Sequence, residues 1–317
     1  MLKKIGLPVL TAFALATFCL PVRAQQFIDV LTGGTSGVYY PLGVALANIY
    51  AKAIPNAKSS AQATKASVEN LSLLQVGRGE LAFTLGDALS QGWKGDTDVG
   101  FTQKLDKLRD VAAIYPNYIQ IVATKASGIK TLADLKGKRM SVGAAKSGTE
   151  LNARAVLKAA GLSYDDLAKV EYLDFGASVD LMKNRQLDAT LISAGLGVSA
   201  IRDLATAVDI VMIPVPPDVV TKIGDPAYQP TVIPAKTYEG QDADVPAIAI
   251  QNFLVTRSDL DDNIVYAMTK AIFDNLGTLV AAHSAAKDIK LADAAKPGPV
   301  PFAAGAERFY KEKGVLK

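Results

Sequence analysis

Short apolar runs alternate along the chain with longer segments in which apolar residues recur at helical spacing. The runs predict strands and the longer segments predict amphipathic helices. The predicted strands are Phe27–Thr32, Ala57–Ala63, Leu81–Leu85, Val111–Tyr115, Ile119–Thr124, one starting at Ser141–Val142, Val170–Leu173, Ala189–Ile192, Ile210–Pro214 and Ala247–Thr256. The predicted helices are Pro41–Ala53, Ser67–Arg78, Gly148–Ala160, Gly176–Asn184, Gly197–Thr206 and Asp261–His283, the last capped by Ser258 or Asp259. The alternation of strands and helices predicts an α/β fold with a mainly parallel sheet.

Two apolar segments, Ile119–Thr124 and Ile248–Val255, are long enough to cross between two lobes. A hinge is predicted there, with residues 25–120 and 247–317 in lobe one and residues 121–246 in lobe two. The length of the chain also favours two domains. The proline-rich piece Pro214–Pro234 is predicted to be a loop region, and no internal repeat or low-complexity tract is present.

The N-terminus has the pattern of a secretory signal over Met1–Ala24. Lys3 and Lys4 precede an almost wholly apolar stretch, and Val22-Arg-Ala24 ends in a small residue suited to cleavage. The apolar stretch is shorter than the roughly 20 residues of a membrane-spanning helix. A cleaved signal is therefore predicted, and with it a periplasmic protein, while an uncleaved anchor is the alternative.

Charge and cysteine content limit the kinds of partner and metal site that the exported chain could have. The full chain has 34 Lys and Arg against 31 Asp and Glu, and the signal holds Lys3, Lys4 and Arg23, so 31 bases face 31 acids after cleavage. No basic run indicates nucleic acid or an anionic membrane surface. The single cysteine, Cys19, leaves with the signal, which excludes disulfides and thiolate metal sites from the remainder. A soluble monomer without cofactor or metal is predicted.

The turn after the first predicted strand is suited to holding an anion. It reads Thr32-Gly-Gly-Thr-Ser-Gly-Val-Tyr-Tyr-Pro41. Glycines permit close backbone approach, Thr35 and Ser36 add hydroxyls beside Gly37 and Tyr39, and the following helix start carries a partial positive charge. The alternative is a glycine-rich turn with ordinary helix capping.

A second turn repeats this chemistry further along the chain. Ser147, Gly148 and Thr149 form a small hydroxyl-bearing turn at another predicted helix start. It lacks the order of a phosphate-binding P-loop, and ordinary capping is again the alternative. If the two turns face each other across a cleft, a small carboxylate is held from both sides as the lobes close.

Further candidates lie near these turns. Ser67 starts a helix and Asn70 follows three residues on, so both are predicted to reach the pocket, although Ser67 alone has the pattern of an N-cap. Asp87 follows a strand and is a candidate for binding a ligand ammonium or for capping a helix. Tyr115 lies at a strand end, where α/β sheets bind ligands, with core packing as its alternative.

Catalysis receives little support from the sequence. His283 is the only histidine, near the end of a predicted helix, and the G-x-S-x-G nucleophile motif is absent. The acids Asp165-Asp166 and Asp261-Asp262 lie near helix starts, where acids are ordinarily placed. No enzyme activity is predicted.

Four segments resemble the TAXI class of TRAP-transporter solute-binding proteins. They are Thr32–Pro41, Ala66–Leu71, Ser147–Thr149 and Asp244–Leu254. The resemblance implies a two-lobed periplasmic binding protein fold of type II-like form, each lobe a mainly parallel sheet flanked by helices. It also implies delivery of a small organic acid or amino acid, such as glutamate or 2-oxoglutarate, to a permease driven by an ion gradient, usually sodium.

Carried over by position, the resemblance implies a ligand shell from both lobes. Its members are Thr35, Ser36, Gly37, Tyr39 and Ser67 from lobe one and Ser147, Gly148 and Thr149 from lobe two, with Asp87, Tyr115 and Ser193 as further candidates. Arg154 either anchors the ligand carboxylate or is a solvated helix residue. Two other functions stay open: a binding subunit of an ABC importer or periplasmic sensor, and a periplasmic enzyme on the same fold.

Overall fold

Ten strands form one mixed β-sheet in the computed structural model, which describes residues 25–316. The strands are β1 Gln26–Leu31, β2 Ala57–Gln62, β3 Leu81–Leu85, β4 Leu108–Thr124, β5 Arg139–Ser141, β6 Lys169–Glu171, β7 Ala189–Ala194, β8 Ile210–Ile213, β9 Gln229–Ile233 and β10 Val245–Arg257. Their order across the sheet is β2-β1-β3-β10-β4-β7-β5-β6, with β8 paired to β4 and β9 paired to β10. The predicted signal, Met1–Ala24, lies outside the described residues.

Helices connect these strands. They are α1 Tyr39–Ala53, α2 Ser67–Gln75, α3 Gly86–Lys94, α4 Gly148–Ala159, α5 Phe175–Lys183, α6 Ser199–Ala207, α7 Pro217–Ile223, α8 Asp262–Asp274, α9 Leu276–Ala282, α10 Leu291–Ala294 and α11 Ala304–Glu312. Within residues 25–316, no helix combines the length and apolar character needed to cross a bilayer.

The sheet buries side chains on both of its faces. In β1, Val30 belongs to one buried apolar cluster and Leu31 to the other, because successive side chains of a strand point to opposite faces. All five residues of β3 are buried, and four of them are apolar, as expected of a strand covered on both faces. The α/β prediction is confirmed, with helices packed over a strongly buried sheet.

The two ends of the sheet are parallel, but its centre is antiparallel. Strands β2, β1 and β3 pair in parallel, as do β6, β5 and β7. The long strands β4 and β10 run antiparallel to each other, and β10 is also antiparallel to β3. The sheet is therefore mixed, because the two strands that join its ends reverse the chain direction.

Strand β4 is continuous where the sequence predicts two strands, Val111–Tyr115 and Ile119–Thr124. Pro116 lies inside it and pairs with Gln251, where the register of β10 shifts between Gln251 and Phe253. Proline has no N–H for the ladder, and an irregularity at this point accommodates it. Strand β10 pairs with β3 on one side of the sheet, and β4 pairs with β7 on the other. The hinge at these strands and the lobe boundaries stay predictions.

Other boundaries also differ from the sequence-based prediction. The last long helix breaks at Asn275, whose Nδ2 donates to Ala271 O at 2.8 Å and competes with the helix ladder. Asp261 caps α8, where Ser258 or Asp259 was predicted to do so. The predicted loop Pro214–Pro234 contains α7 and β9, because Pro217 occupies the first turn of a helix, where proline is tolerated.

Candidate functional site

The first glycine turn joins β1 to α1 by a tight backbone path. The N–H of Gly37 donates to Gly34 O at 3.0 Å, and α1 begins two residues later without a side-chain cap. A Cβ on Gly33 would lie 3.3 Å from the Cβ of Ala66, so glycine lets this turn approach the loop before α2. The uncapped start of α1 leaves backbone donors facing away from the helix.

The second turn joins β5 to α4. Gly143 has a φ of 93°, and a Cβ there would lie 2.6 Å from Thr149 Cγ2. Ser147 caps α4, its Oγ accepting from the Glu150 N–H at 3.1 Å. Gly143 is thus needed both for its left-handed backbone and for the close approach of the helix start.

The elements around these two turns meet directly. A Cβ on Gly148 would lie 2.7 Å from Ser67 Oγ, which places the starts of α2 and α4 in contact. The Glu69 N–H in α2 donates at 3.2 Å to the O of Lys146, in the turn before α4. Ser199 Oγ at the start of α6 donates to Ser36 O at 2.8 Å. The two turns therefore lie on facing sides of one space.

That space is a cavity of about 60 Å³. One water needs roughly 10–15 Å³ on the same measure, so the cavity holds several waters or a small solute. Its wall consists of Gly33, Gly34, Gly37, Val38, Tyr39, Thr64, Lys65, Ala66, Ser67, Leu85, Asn117, Ala144, Ser147, Gly148, Thr149, Asp174, Phe175, Ser193 and Ala194. The wall draws on the loops and helix starts after β1, β2, β3, β5 and β6 and on the strands β4 and β7.

A chain of hydrogen bonds crosses the sheet behind the cavity. Tyr39 donates through its hydroxyl to Asn252 Oδ1. Asn252 Nδ2 donates to Asn117 Oδ1 at 2.7 Å, and Asn117 Nδ2 donates to Ser193 O at 2.9 Å. This chain links α1, β10, β4 and β7 through buried groups, and burial raises the pKa of Tyr39 above its ordinary value. It fixes the orientation of three wall residues, because each amide has a defined partner.

The hydroxyls in the wall are available as donors. Ser67 Oγ accepts from the Leu85 N–H at 3.1 Å, and Ser147 Oγ accepts from the Glu150 N–H, so each hydroxyl proton is left for another acceptor. Ser193 is 4% exposed and its Oγ has no hydrogen-bond partner among the described residues. A buried hydroxyl without a partner is uncommon, and a ligand oxygen is a natural acceptor for it.

Helix starts give the cavity a positive electrostatic character. Helices α1, α2, α4 and α5 all begin at its wall, and each start carries a partial positive charge. Among the described wall residues, Lys65 is the only cation and Asp174 the only acid, and Asp174 Oδ1 already accepts from the Ala177 N–H. Ala66 caps α2 with a φ of 70° and a ψ of −147°, a strained conformation for a residue with a side chain.

Of the predicted ligand residues, seven lie in the cavity wall. They are Gly37, Tyr39, Ser67, Ser147, Gly148, Thr149 and Ser193. The structure thus brings residues 37–39 and 147–149 together although more than a hundred positions separate them. Their binding role stays a prediction.

The other predicted ligand residues lie outside the wall. Thr35 is exposed, and Ser36 uses its backbone carbonyl to accept from Ser199. Asn70 is buried and donates from Nδ2 to Thr32 O and Phe83 O at 2.7 and 2.8 Å, so its amide holds strand ends in place.

Tyr115 and Asp87 also lie outside the cavity wall. Tyr115 is fully buried in an apolar cluster, which matches the alternative of core packing. Asp87 accepts from Asn152 and Tyr228 beneath the wall, in a buried cluster.

Arg154 does not anchor a ligand in this cavity. It pairs with Glu150 at 2.8 Å on α4, donates to Asp98 O at 2.9 Å, and lies outside the cavity wall. The exposed side chain matches the solvated alternative. His283 ends α9, and its Nδ1 accepts from the Ala285 N–H, a capping role.

Several wall residues were missed from the sequence. Thr64, Lys65 and Ala66 precede Ser67 directly, so their position next to a predicted site was a usable signal. Asn117 lies next to Tyr118 in a predicted strand gap, and Asp174-Phe175 precede the predicted α5. No local pattern distinguishes these residues from ordinary cap and strand positions, because their role depends on contacts across the sheet.

Solved structures with the same fold include three with TM-scores above 0.5. PhnD1 from Prochlorococcus marinus, in complex with methylphosphonate, has a TM-score of 0.59 at 10% identity, covering 92% of this chain and 97% of that one. A protein from Bordetella bronchiseptica RB50 has a TM-score of 0.53 at 18% identity, covering 92% and 89%. A putative L-cystine ABC transporter protein from Listeria monocytogenes has a TM-score of 0.52 at 15% identity, covering 84% and 98%. These similarities show a shared fold.

The family comparison covers almost all of the described chain. A model of the NMT1-like family matches residues 30–314, from β1 to the residues after α11. The match includes both turns and every residue of the cavity wall. This chain therefore belongs to the NMT1-like family.

Proposed function

We propose that this protein is a periplasmic solute-binding protein that captures a small anion in the cavity and passes it to a membrane permease. The observation that carries the proposal is the convergence of four helix starts and several free hydroxyl donors on one cavity, with the unpartnered Ser193 Oγ in its wall. Helix starts favour negative charge, and hydroxyl protons need acceptors. Capture by closure requires that ligand contacts favour the closed form.

The ligand class that we propose is a carboxylate, an organic acid or amino acid of the glutamate or 2-oxoglutarate kind. The wall offers donors on several sides but only one acid, Asp174, and one base, Lys65, within the described residues. This composition supports binding of an anion and offers little for acid–base turnover, so we propose a binding protein and not an enzyme. The binding of methylphosphonate by PhnD1 makes phosphonates a useful second class to test.

The permease is proposed to be of the TRAP type, on the resemblance of the two turns to TAXI proteins. The Listeria protein of the same fold belongs by its description to an ABC transporter, which supports an ABC importer as the alternative. The energy source for uptake distinguishes a TRAP permease from an ABC importer. Uptake into vesicles carrying the cognate permease that needs a sodium gradient favours the first, and uptake that needs ATP favours the second.

A thermal-shift screen of carboxylates, amino acids and phosphonates, followed by calorimetry, tests the binding function. The double variant Ser147→Ala with Thr149→Ala is expected to weaken binding of the best compound at least tenfold. It should also cost about 1 kcal/mol of stability, because Ser147 caps α4. The control is Thr206→Ala with Thr221→Ala, two exposed helix hydroxyls away from the cavity. Unchanged affinity in the first double variant contradicts this site.

A further inference from the structure

A buried polar cluster joins α3 to α4 beneath the cavity. Asp87 lies in the first turn of α3, two residues after the wall residue Leu85, and Asn152 lies in α4, one turn after Thr149. Asn152 Nδ2 donates to Asp87 Oδ2 at 2.7 Å, and Tyr228 donates through its hydroxyl to the same oxygen at 2.8 Å. The cluster thus connects the part of the chain after β3 to the part after β5.

Two oxygens of this cluster lack a donor. Asp87 Oδ1 and Asn152 Oδ1 are buried and have no hydrogen-bond partner among the described residues. Asp87 and Asn152 are both 0% exposed. The side-chain donors of the cluster all serve Asp87 Oδ2 or the Tyr228 oxygen, so the other two acceptors have no side-chain donor, and the backbone N–H of Ala88 offsets the burial of Asp87 only in part.

No cation compensates the Asp87 carboxylate in the described part of the chain, since no Lys or Arg forms an ion pair with it. The titratable groups that act on it are Tyr228, Asp225 and Tyr39, none of which carries positive charge. The nearby Arg154 on α4 is paired with Glu150, and Glu69 on α2 accepts from the Lys65 N–H. A charged, buried and unpaired carboxylate is costly.

We propose that Asp87 is a positioning residue that takes up one proton from solvent when α3 and α4 come together around the cavity, so that ligand capture and proton uptake are coupled. Protonation removes the buried charge of Asp87 and adds one hydroxyl donor to a cluster with two unpartnered acceptors. Separation of α3 from α4 exposes Asp87 to water and releases the proton. The coupling rests on the proposed capture function, because it describes how the closed cavity is stabilised.

The direction of the pH effect follows from burial. Desolvation raises the pKa of Asp87 to about 6 in the closed arrangement, whereas a solvated aspartate has a pKa of about 3.9. Closure therefore gains stability as the pH falls from about 7.5 to about 5, and loses it as the pH rises through the raised value. Between those two pH values the closed-to-open ratio is expected to change roughly tenfold.

Hydrogen exchange at one amide measures this ratio without a ligand. The Glu69 N–H in α2 donates to the O of Lys146, which lies in the turn before α4, and we expect separation of α4 from its neighbours to break this bond. After correction for the intrinsic exchange rate, the Glu69 protection factor is expected to be roughly tenfold higher at about pH 5 than at about pH 7.5. The exchange measurement is made on the full exported chain.

Two substitutions test whether Asp87 is the group that takes up the proton. Asp87→Asn removes the titrating carboxyl and supplies a permanent amide donor to the cluster, so protection should be high and equal at both pH values. Asp110→Asn is the matched control, a second buried acid, in β4; it alters the pH dependence of global unfolding but should keep the wild-type response of Glu69, whose exchange reports local opening beside α4. Equal wild-type protection at both pH values, or a pH response that survives Asp87→Asn, overturns the proposal.

The two proposals fail in different ways. If no compound of the carboxylate and phosphonate screen binds at either pH, the capture function fails, while the Glu69 exchange result stands by itself. If compounds bind but neither their affinity nor Glu69 protection responds to pH, the proton coupling fails and the capture function survives.

Discussion

Gly148 and Ser67, which are 81 positions apart, lie so close that a Cβ on Gly148 would come within 2.7 Å of Ser67 Oγ. The same Cβ would lie 2.6 Å from Leu85 Cδ1. A side chain at position 148 would force Ser67 Oγ and the Leu85 methyl group to move, and Ser67 Cβ at 3.1 Å leaves little room for that, so glycine lets the starts of α2 and α4 pack at this distance. The spacing of the cavity wall depends on this contact.

Gly148→Ala should separate the two helix starts and weaken binding. Overpacking of this kind costs about 1–3 kcal/mol, against a gain of up to about 1 kcal/mol from the better helix propensity of alanine. Thermal unfolding and calorimetry measure both effects.

Gly277→Ala is its control, because position 277 is also a helical glycine but has nothing within 4 Å of its would-be Cβ. It should leave binding unchanged and stability equal or slightly higher. Wild-type affinity in Gly148→Ala would show that α2 and α4 can move apart without loss of the site.

Ser193→Ala should have opposite effects on folding and on binding. Its Oγ is buried without a partner, so removal of the hydroxyl should leave the free energy of unfolding unchanged or raise it by about 1 kcal/mol. If a ligand oxygen accepts from this hydroxyl, affinity should fall roughly fivefold to tenfold. Chemical denaturation and calorimetry give the two values.

Thr190→Val serves as the comparison on the same strand. Thr190 Oγ1 is also buried without a partner, but Thr190 is not part of the cavity wall. The substitution should affect stability in the same direction and leave affinity alone. Loss of stability in Ser193→Ala would indicate that its hydroxyl has a protein or water partner.

Asn252→Asp should destabilise the protein strongly. Asn252 Nδ2 supplies Asn117 Oδ1 and Tyr115 O at 2.7 and 2.8 Å, and an aspartate has no donor for either. The loss should be about 3 kcal/mol near neutral pH, measured by urea denaturation. It should shrink as the pH falls, since protonation restores one donor to the buried carboxyl.

The neighbouring Gln251→Glu provides the comparison for that variant. It introduces the same charge at a half-buried position whose amide bonds only the Asn252 carbonyl. A loss as large as that of Asn252→Asp would mean that charge alone, and not the broken hydrogen-bond chain, is responsible.

Asp110 should make the stability of the whole protein fall as the pH rises. Burial raises its pKa well above the ordinary value, an effect larger than the opposing one of the backbone N–H groups of Val111 and Ala112, and no side chain among the described residues donates to its carboxyl oxygens. The folded state thus binds more protons than the unfolded state between the ordinary and the raised pKa. The contribution of Asp110 to the free energy of unfolding is then greatest at low pH and falls by up to about 1.4 kcal/mol per pH unit in that window.

Asp110→Asn should remove this contribution and flatten the pH dependence of unfolding above the ordinary aspartate pKa of about 3.9. Urea denaturation across the window measures it. An unchanged slope would show that Asp110 is not the group that takes up the proton.

The local pattern of the sequence determined the elements and their chemistry. Apolar runs such as Leu81–Leu85 and hydroxyl-bearing helix starts such as Ser147 are readable locally, because side-chain periodicity and capping act over a few residues. The broken helix at Asn275 and the continuous β4 were predicted wrongly, since an amide that bonds Ala271 O and a register shift opposite Pro116 depend on geometry that a pattern of apolar residues does not record.

Only the tertiary structure decided which polar residues share the cavity. Asn70 and Ser67 lie on one helix and look equivalent in sequence, yet Asn70 holds strand ends while Ser67 meets Gly148 at the wall. Asn117 and Phe175 joined the wall without any local signal. Residue type and spacing fix what a side chain can donate or accept, but the packing of distant strands and helices fixes what it meets.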